Sequence, residues 1–200
     1  HRVDRRQRQM CIRDSVNTTP EIMAWMMDEY SKLVWEYSPG SFTWKPLSSW
    51  WSKLRSISTA LWWVYVLEKI LELNKDNVKW KKIIIQWAWN AWLTMATLLA
   101  ERWAIIIWIS DSKWSIFLES WIDINKIKEI KDNRKSVVEY DKNLIINNWD
   151  FLEKNCDILI PAALENQIVK ENAPNIKAKY ILELANWPVS SEADKIIFDN

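Results

Sequence analysis

Two hundred residues carry 27 Lys and Arg against 26 Asp and Glu, a formal charge of +1 that gives no excess to suit nucleic acid or a membrane surface. The chain is long enough for one domain with a sizeable core, and no apolar run approaches the ~18 residues of a membrane span. No signal peptide is recognisable, so the expectation is a cytoplasmic protein with neither membrane nor nucleic-acid partner.

The first fifteen residues differ from the rest. His1 to Ser15 hold five of the eight arginines, the only histidine and one of the two cysteines. Met10-Cys11-Ile12-Arg13-Asp14-Ser15 reads like a translated frame of a sequencing-library transposase adaptor, so residues 1–15 are expected to be a disordered extension foreign to the gene. The competing reading is a basic arm for nucleic acid. Removing five Arg and two Asp takes the charge from +1 to −2, and no basic signal survives. Beyond residue 15 one cysteine and no histidine remain, which excludes a disulfide framework, a Cys/His zinc site and a histidine-based triad. No bound metal is expected.

Thr19 as N-cap, Pro20 in the first turn and Glu21 at the dipole-favoured end predict a helix that carries Ile22, Met23, Met26, Met27, Tyr30 and Val34 at helical spacing. A loop rich in Ser and Pro runs from Trp35 to Leu54, and a second helix spans about Ser56 to Leu73. Strands are predicted at Ile83–Gln86, Ala104–Ile109, Leu144–Ile146, Asp157–Ile160 and Tyr180–Leu184, with helices near Leu93–Arg102, Asp123–Asn133 and Phe151–Asn155. Near-continuous apolar strands alternating with helices predict an α/β, Rossmann-type doubly wound, mostly parallel sheet over residues 16–200. Cys156 precedes an apolar strand and reads as a buried thiol rather than a nucleophile.

Seventeen tryptophans stand against one glycine, and they sit where glycines belong. Trp87-Ala88-Trp89-Asn90-Ala91-Trp92 follows Ile83-Ile84-Ile85 and opens a helical pattern. With Gly for Trp it reads G-A-G-N-A-G, the dinucleotide-binding fingerprint in its strand-turn-helix setting. The first glycine permits the tight turn, the second lets a pyrophosphate approach the backbone, and the third lets helix and strand pack closely. The same replacement gives Gly-Lys-Pro-Leu at Trp44 to Leu47 and Gly-Gly at Trp50-Trp51. This distribution predicts a gene in which UGA encodes glycine and has been translated as tryptophan, with Trp25, inside the first helix, the one true tryptophan. The alternative is a non-catalytic Trp-rich binding module, but such modules put aromatics on one exposed face. Asp111 ends the second strand, 19 residues after Trp92, where a carboxylate can accept hydrogen bonds from an adenosine ribose. That favours NAD over NADP, although Lys113 could serve a 2′-phosphate.

With glycine restored, residues 16–200 resemble the cofactor-binding half of the glutamate dehydrogenases. The resemblance runs through Val16-Asn17-Thr18, Met23 to Ser31, Trp35 to Gly40, Trp44 to Leu47, Trp50-Trp51-Ser52, Gln86 to Trp92, Ser110-Asp111-Ser112, Cys156 to Leu164 and Ala185-Asn186-Trp187-Pro188. It implies oxidative deamination of L-glutamate to 2-oxoglutarate and ammonia, and the reverse, with hydride transfer to NAD or NADP in a homo-oligomer. It places Arg55 and Thr59 near the cofactor phosphates and nicotinamide end. Trp87, Trp89, Asn90 and Trp92 fall in the phosphate turn, Asp111 at the adenosine ribose, and Ala162, Ala163 and Asn186 beside the nicotinamide ribose.

Leu54 and Ala60 stand where the family commonly has glycine. The family's acid/base aspartate aligns with Ser15, so no catalytic residue is assigned. The catalytic lysine and most substrate contacts are expected in an upstream half, and a further segment beyond Asn200. A leucine-, valine- or phenylalanine-type dehydrogenase is the alternative within the superfamily. Trp35 to Leu47, read as G-E-Y-S-P-G-S-F-T-G-K-P-L, favours the glutamate branch.

Overall fold

A computed structural model describes residues 18–49, 52–86, 89–111, 114–147 and 150–199, apart from the side chains of residues 55, 56 and 89–92. The expected extension at 1–15, Trp87 and Lys113 lie outside the described residues. Two compact units divide the chain after Ser56.

In the first unit, α1 (Pro20–Val34) begins as its sequence dictates. Thr19 is extended and its hydroxyl accepts the Ile22 N–H at 3.4 Å, meeting one of the donors a helix start leaves open. Met23, Met27 and Phe42 form the unit's small core, with Tyr30 edge-on to Phe42 at 5.8 Å. Lys45 is buried beside them and its ammonium donates to the Pro39 and Phe42 carbonyls, both at 2.5 Å. Burial lowers the pKa of that ammonium.

Helix α2 (Arg55–Leu73) carries Ala60, Val64, Leu67 and Leu71 one turn apart, and this stripe is buried in the second unit. The alternation then unfolds in chain order: β1 (Lys82–Ile85), α3 (Trp89–Ala100), β2 (Ile105–Ser110), β3 (Ser115–Phe117), α4 (Ile124–Asp132), β4 (Ile145–Ile146), β5 (Ile158–Ile160), β6 (Tyr180–Ile181) and α5 (Ser191–Asp199). Among the described residues the six strands form one sheet in the order β4-β3-β2-β1-β5-β6. β2, β1, β5 and β6 run parallel, and β3 is antiparallel to both its neighbours.

The run Ile83-Ile84-Ile85 shows why the strands read as continuously apolar. Ile83 and Ile85 face a layer with Val64, Leu67, Met95, Leu99 and Ile127, whereas Ile84 faces Phe151, Leu159, Ile168 and Ala193. Both faces of the sheet are therefore covered. Each fully buried isoleucine is worth about 1.5–3 kcal/mol.

Apart from element ends and short 3-10 turns, the sequence reading differs from the structure in three places. Phe151–Asn155, expected as a helix, forms turns, because Phe151 and Leu152 are pulled into the core and five residues cannot repay helix nucleation. Strand β3 and helix α5 were not foreseen. Helix α5 had a signal, since the Ser190 hydroxyl accepts the Ala193 N–H at 3.2 Å ahead of the acidic first-turn residues Glu192 and Asp194.

Candidate functional site

Strand β1 has β2 on one side and β5 on the other; the chain goes on from β1 to β2 and from β5 to β6, so it leaves these two neighbouring strands in opposite directions. Open α/β sheets bind ligands in the crevice at such a switch point. Ile85 sits level with Ile160, and the Gln86 N–H donates to the Ile160 carbonyl at 2.9 Å. Helix α3 starts at Trp89, only a few residues on, so its open N–H groups and positive dipole end lie at this edge. Trp87 is outside the described residues, as are the side chains of Trp89, Asn90 and Trp92.

Loops from β5 and β6 meet at the same edge. The Leu184 and Ala185 N–H groups both donate to the Pro161 carbonyl, at 3.1 and 3.0 Å, which joins the 184–188 loop to the loop of Ala162 and Ala163. Ala162 is buried, Ala163 half-buried and Asn186 exposed. The Asn166 and Gln167 N–H groups donate to the Trp187 and Pro188 carbonyls at 3.0 and 2.8 Å. The Gln86 side-chain amide donates to Gln167 Oε1 at 2.5 Å, tying the end of β1 to these loops. Gln86 Oε1 itself is buried with no hydrogen-bond partner among the described residues. The pairing of Gln86 with Gln167 is not legible in the sequence, since 81 positions separate them and only the fold makes them neighbours.

Asp111 follows β2 at the same edge and is buried. Its Oδ1 accepts the Trp114 N–H at 3.1 Å; its Oδ2 accepts the Ser136 hydroxyl at 2.6 Å and the Val137 N–H at 3.1 Å. The Lys131 ammonium is 3.9 Å from Oδ2. The carboxylate therefore fastens the β2–β3 turn to the segment after α4, a role the strand-end position alone did not reveal. Ser136 and Glu139 carry a capping-box spacing that could have announced that segment.

Thr59 lies early in α2, half-buried, next to Ala60 in the core. The Arg55 side chain is outside the described residues. Cys156 is buried, and burial pushes its thiol up to about 12. No cluster of three His, Cys, Asp or Glu side chains among the described residues is placed to hold a metal. No described helix is long and apolar enough to cross a membrane.

Residues 52–200 match the family model described as Glutamate/Leucine/Phenylalanine/Valine dehydrogenase. The NADP-specific glutamate dehydrogenase of Saccharolobus shibatae is 38% identical over 182 residues, covering 91% of this chain and 43% of that protein. The NAD-specific glutamate dehydrogenase of Staphylococcus aureus is 37% identical over 182 residues, covering 91% and 44%. Among solved structures, Plasmodium falciparum glutamate dehydrogenase 2 superposes with a TM-score of 0.78 at 27% identity, over 92% of this chain and 43% of that one. A hetero-hexameric glutamate dehydrogenase from Thermus thermophilus reaches a TM-score of 0.83 at 19% identity, over 92% and 44%, a likeness of fold. The chain thus spans less than half the length of the relatives it matches. It belongs to the Glu/Leu/Phe/Val dehydrogenase family.

Proposed function

We propose that residues 16–200 are the nucleotide-binding part of a glutamate dehydrogenase, which oxidatively deaminates L-glutamate to 2-oxoglutarate and ammonia with NAD as the preferred cofactor and NADP second. The observation that carries this reading is the meeting, at one sheet edge, of the β1–α3 turn, the Pro161–Ala163 loop and the 184–188 loop, in a chain 38% identical to a glutamate dehydrogenase. The edge suits a dinucleotide: the helix N-terminus there would face its phosphates, and a buried Gln86 oxygen has no hydrogen-bond donor among the described residues.

Bound there, a nicotinamide dinucleotide supplies the hydride acceptor. The first N–H groups of α3, with Trp87, Trp89, Asn90 and Trp92 at the turn, would hold the diphosphate, and Arg55 and Thr59 would serve the phosphates and nicotinamide end. Ala162, Ala163 and Asn186 would line the nicotinamide ribose. Asp111 would accept from the adenosine ribose, and its carboxylate would repel a 2′-phosphate, which is the reason for preferring NAD. No catalytic residue is assigned within this chain; the position expected for the acid/base aspartate, Ser15, is outside the described residues. Residues 1–15 are read as foreign to the enzyme, and the whole enzyme as a homo-oligomer.

The test is steady-state kinetics on the full-length enzyme, with glycine at the sixteen tryptophan positions, using L-glutamate, L-leucine, L-valine and L-phenylalanine with either cofactor. Turnover of L-glutamate with NAD is expected. Turnover of an apolar amino acid instead would move the chain to another branch of the family, and none at all would leave a non-catalytic binding protein.

A further inference from the structure

We infer that tryptophan occupies glycine positions along this chain, and that its source organism reads UGA as glycine. Thirteen tryptophans have a described backbone, and five take a left-handed conformation: Trp35 (φ 54°), Trp44 (60°), Trp80 (66°), Trp103 (65°) and Trp187 (47°). Only a few per cent of non-glycine residues adopt positive φ, mostly Asn, Asp and His, so thirteen tryptophans should show fewer than one. The remaining positive-φ residues described are Lys75, Arg134 and Asn166.

Two of the five close helices in the same way. The Trp35 N–H donates to the Lys32 carbonyl and the Glu36 N–H to that of Ser31. After α3, the Trp103 N–H donates to Ala100 and the Ala104 N–H to Leu99. This crossed pair of bonds requires a left-handed residue just past the helix, the place where glycine is most enriched. Burial offers three of the five indoles little compensation: Trp35 is 96% exposed, Trp187 79% and Trp103 63%.

Trp108 shows the opposite fault. It is fully buried in β2 with no partner for its indole N–H among the described residues, where the register with β1 slips between Ile83 and Ile84. Bulges are a habitual place for glycine, and a stranded buried donor costs about 1–3 kcal/mol. Trp80, Trp103 and Trp121 also line a cavity beside the start of β2, and glycine at those three positions would take their indoles out of its wall. Trp25, in the middle of α1, keeps a right-handed helical backbone and closes no helix.

One altered codon meaning accounts for all sixteen positions and restores glycine to 17 of 200 residues, close to the usual ~7%. It also rebuilds the turn at Trp87, Trp89 and Trp92 that the proposed function needs, yet the conformational argument stands without that function. The test is peptide mass spectrometry of the protein from its source organism, read beside the gene. The expected result is glycine at positions 35, 44, 80, 103 and 187 from TGA codons, and tryptophan at position 25 from TGG. Tryptophan in the natural peptide at any of the five left-handed positions, or TGG codons there, overturns the inference. Glycine in a protein that proves non-catalytic would sink the proposed function alone.

Discussion

Replacing Asp111 by alanine tests a structural role and a cofactor role together, and the geometry allows them to be separated. The carboxylate receives the Trp114 N–H, the Val137 N–H and the Ser136 hydroxyl within 3.1 Å, and it is buried. Hydrogen bonds to a charged group are worth about 1.5–3 kcal/mol each, and alanine leaves three donors without their acceptor. Allowing for water entry and shared partners, Asp111→Ala should cost about 3–5 kcal/mol. That is a large share of the ~5–15 kcal/mol that holds a domain together. At roughly 2–4 °C per kcal/mol for a domain of this size, Tm should fall by about 6–20 °C. Asp111→Asn keeps one acceptor oxygen and should lose about half as much. Thermal unfolding followed by circular dichroism, on the glycine-bearing protein, reads this. Below both transitions, Asp111→Ala should raise the KM for NAD by about 10- to 150-fold, the value of one charged hydrogen bond, and narrow the preference over NADP. An unchanged Tm refutes the fastening role, and unchanged cofactor discrimination refutes the ribose role.

Trp35→Gly with Trp103→Gly should stabilise the chain, because each relieves about 1–2 kcal/mol of left-handed strain and uncovers little buried surface; a lower Tm in the double variant would contradict the cap argument. Cys156, with its thiol pushed up to about 12 by burial, should resist alkylation at neutral pH until the chain is unfolded. Rapid labelling of the Cys156 peptide in the native protein would show an open site. Asp76 is held below the ordinary carboxylate range by the Lys81 ammonium, 3.0 Å away, and by the Asn77 N–H. A depressed carboxylate stabilises above its unfolded pKa of about 3.9 and loses that contribution as pH falls through the folded value. The Tm gap between the parent chain and Asp76→Asn should therefore be open at neutral pH and close in acid; a gap constant with pH would refute the assignment.

Much of the architecture was legible because both faces of the sheet are covered, which leaves runs such as Ile83-Ile84-Ile85 and Ile158-Leu159-Ile160 unmistakable. Thr19-Pro20-Glu21 announced α1 for equally local reasons. Strand β3 escaped because three residues hold too little period to be read, and its existence depends on pairing with both β2 and β4. Of the site, the switch-point turn was visible only after tryptophan was read as glycine. The contacts made by Asp111 with Ser136 and by Gln86 with Gln167 span 25 and 81 positions, and no local pattern encodes them.

The central claim, that the turn between β1 and α3 receives a dinucleotide and needs glycine to do so, is tested most directly by calorimetric titration of NAD. Two forms of the full-length protein are compared, identical except for glycine or tryptophan at positions 87, 89 and 92. Binding by the glycine form alone is predicted, since an indole at the close-approach position denies the pyrophosphate its path to the backbone N–H groups. Equal affinity in the two forms, or no binding by a folded glycine form, would contradict the account.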